Sequence, residues 1–438
     1  MKQKVCALSF KKVFIVLGIF LSLTGCAQRG QSSNKIVVWH WMTDRHNAFE
    51  KLAGQYEKET GVKVVFELYA PSDSYSQKII AAAQARVLPD IFGVLGEKKT
   101  FASFVENGFI ADLTGDFRAN NGEWENTISP TAILANSFEE NNIYKIKPGI
   151  YGVPIDVMNI QMLYNKKLLS NAGIQNPPRT FDEFLQNIVS LKRVGTNGLV
   201  SGWGEFWMIN CFASNYAFNI MGEEKIMATY RGEVPYTDPG WIQVLGVFKT
   251  LAEQDALAPW IVTKGNKFAE QDFAVERAAF AFNGSWCVNV YNEMNPNLQY
   301  GVMLPPKISD AFPMKIWGGA GSSFVVNNVS QRRSEAVDFL KWLTAEEQQA
   351  YVAAETKNLS VNKKALSSAD PVLSGFVKGT DYATHPAVWE VNEYPEVSER
   401  LAKGIQSIIL GDKTPEEVAQ EVQAMKEKFM ERESRRKN

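Results

Sequence analysis

Strand-like and helix-like stretches alternate along this chain, pause, and begin again, and the pause falls on residues 151–165. That stretch, Tyr-Gly-Val-Pro-Ile-Asp-Val-Met-Asn-Ile-Gln-Met-Leu-Tyr-Asn, is rich in extended-chain formers and punctuated by Gly152 and Pro154, so it reads as a strand running past a bend. Alternation on either side implies mainly parallel sheets covered by helices. With 438 residues, the chain exceeds the size at which one hydrophobic core stops growing. The expectation is an α/β protein of two lobes, with residues 151–165 as the first crossover and the functional cleft beside it.

Before the crossover, residues 36–41 form a short apolar run suited to a buried strand. Phe49, Leu52, Ala53 and Tyr56 then recur at helical spacing up to Gly61, and Val62, Val64, Phe66 and Leu68 alternate as a second strand. A helix over 74–86 and a strand over 89–94 follow. Sheets built this way place ligands at the carboxyl ends of their strands, here near Trp41 to Arg45 and near Gly96 and Glu97. After the crossover, Thr180 and Glu183 have capping-box spacing, as do Thr344 and Glu347, and Thr414 and Glu417. A strand over 300–306 ending in a Pro pair suggests a return between lobes. The resulting segments are 36–150 in the first lobe, 151–307 in the second, 308–350 in the first again, and 351–438 mainly helical in the second. The charged tail, 431–438, is expected to fray.

The first residues form a targeting segment. Lys2, Lys4, Lys11 and Lys12 precede an apolar run over 13–23 that is too short to cross a bilayer comfortably. Leu23-Thr24-Gly25-Cys26 resembles the bacterial lipobox, in which cleavage after residue 25 leaves a lipidated Cys26. Stable attachment needs two lipid signals, which that chemistry meets. Residues 26–35 supply a polar tether between the membrane and the folded body. Cys211 and Cys287 remain in the body; export permits a disulfide, but a large core does not need one, and two separate buried thiols are expected.

A net charge of −2 offers no basic face for nucleic acid. The sequence has no Gly-x-Ser-x-Gly elbow, no Walker loop and no His-Glu-x-x-His, and its three histidines lack metal-ligand spacing. It has no motif that calls for a cofactor. What it does supply is aromatic surface and hydrogen-bonding groups at loop positions. A sugar ring shows an apolar C–H face and a hydroxyl rim, so a sugar site needs flat aromatic surface and carboxylate or amide acceptors. Trp41, Trp207, Trp286 and Trp317 stand at the ends of expected strands or helices. Asp44, Arg45, Glu97, Asp156 and Asn159 could serve the rim, with Gly318 and Gly319 beside them. For each tryptophan the alternative is core packing; for Asp44 and Arg45 it is helix capping and a solvated charge.

Several stretches, taken in order, resemble the family 1 extracellular solute-binding proteins, the maltose-binding-protein-like group that serves ABC sugar importers. These are Val37-Val38-Trp39 with Glu59 to Val64; Leu88-Pro89-Asp90-Ile91; Tyr151-Gly152-Val153-Pro154 through Tyr164-Asn165-Lys166 and Ala172-Gly173-Ile174; and Asn283-Gly284-Ser285-Trp286. Trp317-Gly318-Gly319 agrees, and the similarity spans nearly the whole chain beyond Cys26. The resemblance implies a two-lobed periplasmic-binding-protein type II fold holding a sugar or oligosaccharide. It also implies a monomer, lipid-anchored on the extracytoplasmic face of the cell membrane, that partners the permease of an ABC importer. In relatives a Trp after Gly-Ser stacks on sugar, which carries to Trp286. The acidic–basic pair after the first strand carries to Asp44 and Arg45, the acidic residue after Pro-Asp-Ile to Glu97, and a second-lobe aromatic to Trp207 or Phe206. Val94 and Met158 depart from the maltose-binding pattern, which puts maltose itself in doubt. A lipid-anchored polysaccharide hydrolase or lyase is the competing reading, since paired carboxylates beside tryptophans would suit it. Scarce histidine disfavours a metal or peptide importer.

Overall fold

Thirteen strands organise the described residues: β1 (Lys35–His40), β2 (Lys63–Leu68), β3 (Ile91–Gly93), β4 (Ser137–Phe138), β5 (Gly149–Ile150), β6 (Val153–Pro154), β7 (Ile160–Asn165), β8 (Asn197–Val200), β9 (Ala278–Gly284), β10 (Tyr300–Met303), β11 (Ile316–Trp317), β12 (Ser323–Val326) and β13 (Ala383–Thr384). They come from a computed structural model that describes residues 35–70, 72–95, 98–365, 371–389 and 391–437. The leader, Cys26 and Glu97 lie outside the described residues.

Two sheets carry the two lobes, one ordered β2-β1-β3-β12-β6 and the other β10-β7-β9-β8. Each sheet has a single strand running against the rest: β12 is antiparallel to both β3 and β6, and β7 to both β9 and β10. These are the strands that arrive from the opposite lobe. A strand native to its lobe ends at the hinge, whereas a strand that has just crossed starts there. The carboxyl ends of β1, β3, β8 and β9 therefore all point to the hinge side.

The crossover is narrower than the sequence suggests. Tyr151 to Pro154 still belong to the first lobe, because β6 pairs with β12, and the switch occupies residues 155–159. The return comes later than residue 308: Met314 and Ile316 still pack in the second core, so the chain crosses over 318–322. Nor does the first lobe end at 350. Val361 O accepts the Ser129 amide and Asn362 bridges Ile128 and donates to Thr344 O, so the third crossing follows residue 362.

Local chemistry explains most elements. The helix Phe181–Arg193 opens on the expected box: Thr180 accepts from the Glu183 amide, and Glu183 reaches back to the Thr180 amide. Thr414 and Glu417 repeat it. Thr344 does not, because its hydroxyl donates to Leu340 O at 2.9 Å and accepts from Trp124 Nε1 at 2.9 Å, leaving Ala345 as the cap of helix Glu346–Thr356. The last helix, Pro415–Lys437, runs on through the tail expected to fray. A buried pair pins it: Lys426 Nζ lies 2.7 Å from Glu393 Oε1, and Tyr236 donates to Glu393 Oε2. Cys211 and Cys287 are free, and burial pushes both thiols well above the ordinary range.

Candidate functional site

The carboxyl end of β9 builds the more open part of the site. Gly284 is followed by Ser285 and Trp286, and the Trp286 ring folds back over Gly284 so closely that a Cβ there would stand 1.9 Å from a ring carbon. Only glycine permits that approach. The ring's edge is fixed by Glu270, whose Oε1 accepts from Trp286 Nε1 at 3.2 Å, Asn266 Nδ2 at 3.0 Å and Asn283 Nδ2 at 3.2 Å. Glu270 is fully buried, and Lys267 Nζ lies 3.0 Å from its other oxygen.

Trp207 stands beside it, with ring centroids 6.0 Å apart and planes inclined at 52°. Its Nε1 donates to Glu205 Oε2 at 2.8 Å, and Glu205 Oε1 accepts the Asn266 amide at the start of helix Asn266–Ala274. Each indole N–H is thus held by a carboxylate, and both carboxylates are held by Asn266. Trp207 keeps 37% of its surface exposed. The pair is a pre-set aromatic platform whose polar edges are already satisfied; one face of Trp286 lies on Gly284, and Trp207 is the more exposed ring.

The first lobe brings Trp41, Asp44 and Arg45 from the end of β1, but the charges turn inward. Arg45 Nε lies 3.0 Å from Asp44 Oδ2 and Nη1 lies 2.9 Å from Asp156 Oδ2, with 7% of the Arg45 side chain and 3% of the Asp156 side chain exposed. Burial lifts the Asp156 carboxyl above its usual range, with Arg45 opposing. At Asp44 burial pulls the same way, but the Arg45 charge and a hydrogen bond from Asn358 outweigh it and hold the carboxyl below its usual range. Asp44 keeps 17% of its side chain exposed, the most of the three. Trp41 packs against Tyr75 at 5.2 Å; the Tyr75 hydroxyl in turn pins the ends of β1 and β3 through Trp39 O and the Gly93 backbone.

Asn159 does not reach a rim. Its Nδ2 donates to Phe376 O at 2.8 Å and its Oδ1 accepts from Gln161 Nε2, so a wholly buried amide is spent within the protein. Trp317 is not part of the Trp207–Trp286 platform either: its ring stacks on His385 at 5.9 Å, and its Nε1 is buried without a partner among the described residues. Gly318 and Gly319 knit the crossovers, donating to Thr384 O and Met158 O. Beside them a cavity of about 70 Å³ is lined by Val94, Lys98, Gly321, Ser323 and His385. Burial pushes His385 down to about 4 and Lys98 down to about 7, yet the Lys98 ammonium is fully occupied by Leu134 O, Ala135 O and Ser137 O. A roomier cavity of about 630 Å³, lined by Pro178, Met303 and Phe312, lies elsewhere and contains none of these residues.

Glu205, Asn266, Glu270 and Asn358 are absent from the sequence-based set. Only Glu205, two residues before an expected aromatic, sits close enough in sequence to be suspected. Among the described residues no cluster of His, Cys, Asp and Glu could hold a metal, and no helix is long and apolar enough to cross a membrane.

Comparison with known proteins gives this geometry a context. The family model for bacterial extracellular solute-binding proteins matches residues 51–375. The melibiose/raffinose/stachyose-binding protein MelE of Bacillus subtilis is 24% identical over 339 residues, covering 74% of each chain. A maltooligosaccharide ABC transporter solute-binding lipoprotein of Streptococcus pneumoniae is 21% identical, covering 78% of this chain and 76% of its own. The solved structure of the binding protein RafE in complex with raffinose superposes with a TM-score of 0.74 at 17% identity, covering 89% of this chain and 98% of RafE. This structural likeness establishes the two-lobed fold.

Proposed function

The chain belongs to the bacterial extracellular solute-binding proteins, and from that membership we propose that it captures a sugar or oligosaccharide between its lobes and delivers it to the permease of an ABC importer. The observation that carries this reading is the Trp207–Trp286 platform, two indoles whose N–H groups are consumed by Glu205 and Glu270, so that the ring surface still open, most of it on Trp207, offers an apolar face to a pyranose. MelE is named for melibiose, raffinose and stachyose, RafE was solved with raffinose, and the pneumococcal relative is named for maltooligosaccharides, so neutral oligosaccharides are the first candidates.

The family is extracytoplasmic, and Leu23 to Cys26 supports anchoring through lipidated Cys26, with the protein acting as a monomer. Ligand held by both lobes favours the closed arrangement, which the permease then reads. Trp207 and Trp286 contribute stacking, while Trp41, Asp44 and Glu97 complete the site from the first lobe. The family's members are binders, and the proposed cycle releases its ligand chemically unchanged. A thermal-shift screen of mono- and oligosaccharides, with chromatography of each mixture, tests this. Stabilisation of about 2.7 kcal/mol at a hundredfold excess over Kd, without product, supports it. Turnover of any saccharide, or no stabilisation by any, overturns it.

A further inference from the structure

Arg45 reaches two of the segments that join the lobes and the residues leading into the third. Its Nη1 lies 2.9 Å from Asp156 in the first crossover and 3.3 Å from Ser322 Oγ in the second, and its Nη2 donates to Asn358 Oδ1 at 3.2 Å, just before the third. Nε holds Asp44 at 3.0 Å, and Asp44 in turn accepts from Asn358 Nδ2 at 2.9 Å. Asp156 completes the ring by accepting the Ser322 amide at 2.5 Å. A guanidinium is the one side chain with a planar fork of donors wide enough for this.

The three segments also run side by side. Val157 N donates to Leu359 O at 3.1 Å, and Gly319 N donates to Met158 O at 2.8 Å. The Arg45 contacts all fall at the first-lobe ends of this ribbon. Toward the second lobe the ribbon contains Gly319, whose φ of 93° lies outside ordinary L-residue space.

We propose that Arg45 is the hinge anchor: it clamps the first-lobe ends of all three crossovers, so that closure swings the second lobe about Met158, Asn159, Gly318 and Gly319. This rests on the closure reading above, and it moves Arg45 from ligand contact to positioning residue. The clamp sits on the rigid body, the bend beyond it.

The test is amide hydrogen exchange on the ligand-free protein, alongside small-angle scattering. Arg45→Met is expected to speed exchange across 155–159 and 318–322 by about tenfold or more and to broaden the scattering-derived size distribution, while β8 and β9 keep their protection. Arg45→Lys should restore only part, because an ammonium can hold Asp156 but cannot fork to Ser322 and Asn358. Asn358→Ala removes one arm and serves if Arg45→Met fails to fold; its expected effect is a smaller rise confined to 155–159 and 357–360. Unchanged exchange in the crossovers of either variant, or full restoration by Lys, overturns the proposal. Because no ligand is present, a failed sugar screen leaves this result standing.

Discussion

The two lobes carry opposite chemistry at the carboxyl ends of their strands. The second presents ring faces whose polar edges have been tied back by carboxylates; the first presents the buried edge of an ion network, with Asp44 its most exposed member. A buried charge is costly unless fully partnered, so the first lobe's acidic and basic residues were drawn into each other and into the crossovers. Indole carbon bears no such penalty and can stay half open to solvent. On the proposed reading the labour is divided, with one lobe steering the hinge and the other gripping.

The largest test of that division is Trp286→Ala. Calorimetry with a saccharide identified by the screen should show about a thousandfold loss of affinity, about 4 kcal/mol, with Trp207→Ala losing less because it is the more exposed ring. Equal losses from the two would break the picture of one anchored ring and one accessory. Next comes Glu270→Ala, which strands the donors of Asn266, Asn283 and Trp286 in a dry site. Denaturant unfolding should lose about 3 kcal/mol. A stability change near zero would show that the platform does not depend on its buried carboxylate.

The smallest effect concerns acid. Burial drives His40 in the first lobe down to about 3, with His46 and Arg45 adding to the fall. The unfolded chain takes up that proton near pH 6.5 while the folded lobe refuses it, so stability is full above 6.5 and declines as pH falls toward 3. Between pH 6.5 and 5 the loss attributable to His40 is about 2 kcal/mol. His40→Gln should flatten that part of the profile, measured as Tm against pH. An unchanged slope would move the acid sensitivity to the second lobe, where His385 is lowered in the same direction.

Much of the architecture was legible because period and punctuation are local. The repeat around Phe49, the Thr180 box and the bend at Pro154 each act within a few residues. Lobe boundaries were misplaced because pairing decides them: nothing near Met314 shows that it packs in the second core, and nothing near Val153 shows that β12 lies beside it. The aromatic half of the site was visible as composition at strand ends. The direction in which Arg45, Asp156 and Asn159 turn was not, since it depends on Asn358, Ser322 and Phe376, far away in sequence. Thr344 failed as a cap for the same reason, because Trp124 reached it first.

In the first sheet β12 is inserted between β3 and β6, although it follows them by most of the second lobe. A chain delivered amino end first therefore offers an incomplete lobe: β3 lacks its outer neighbour and β6 has no sheet partner until residues 323–326 emerge. Ring closure over so long a separation is slow, and an unsealed strand edge invites wrong pairing. Until then that edge stays open, and sealing it is the same event that seats Ser322 beside Arg45.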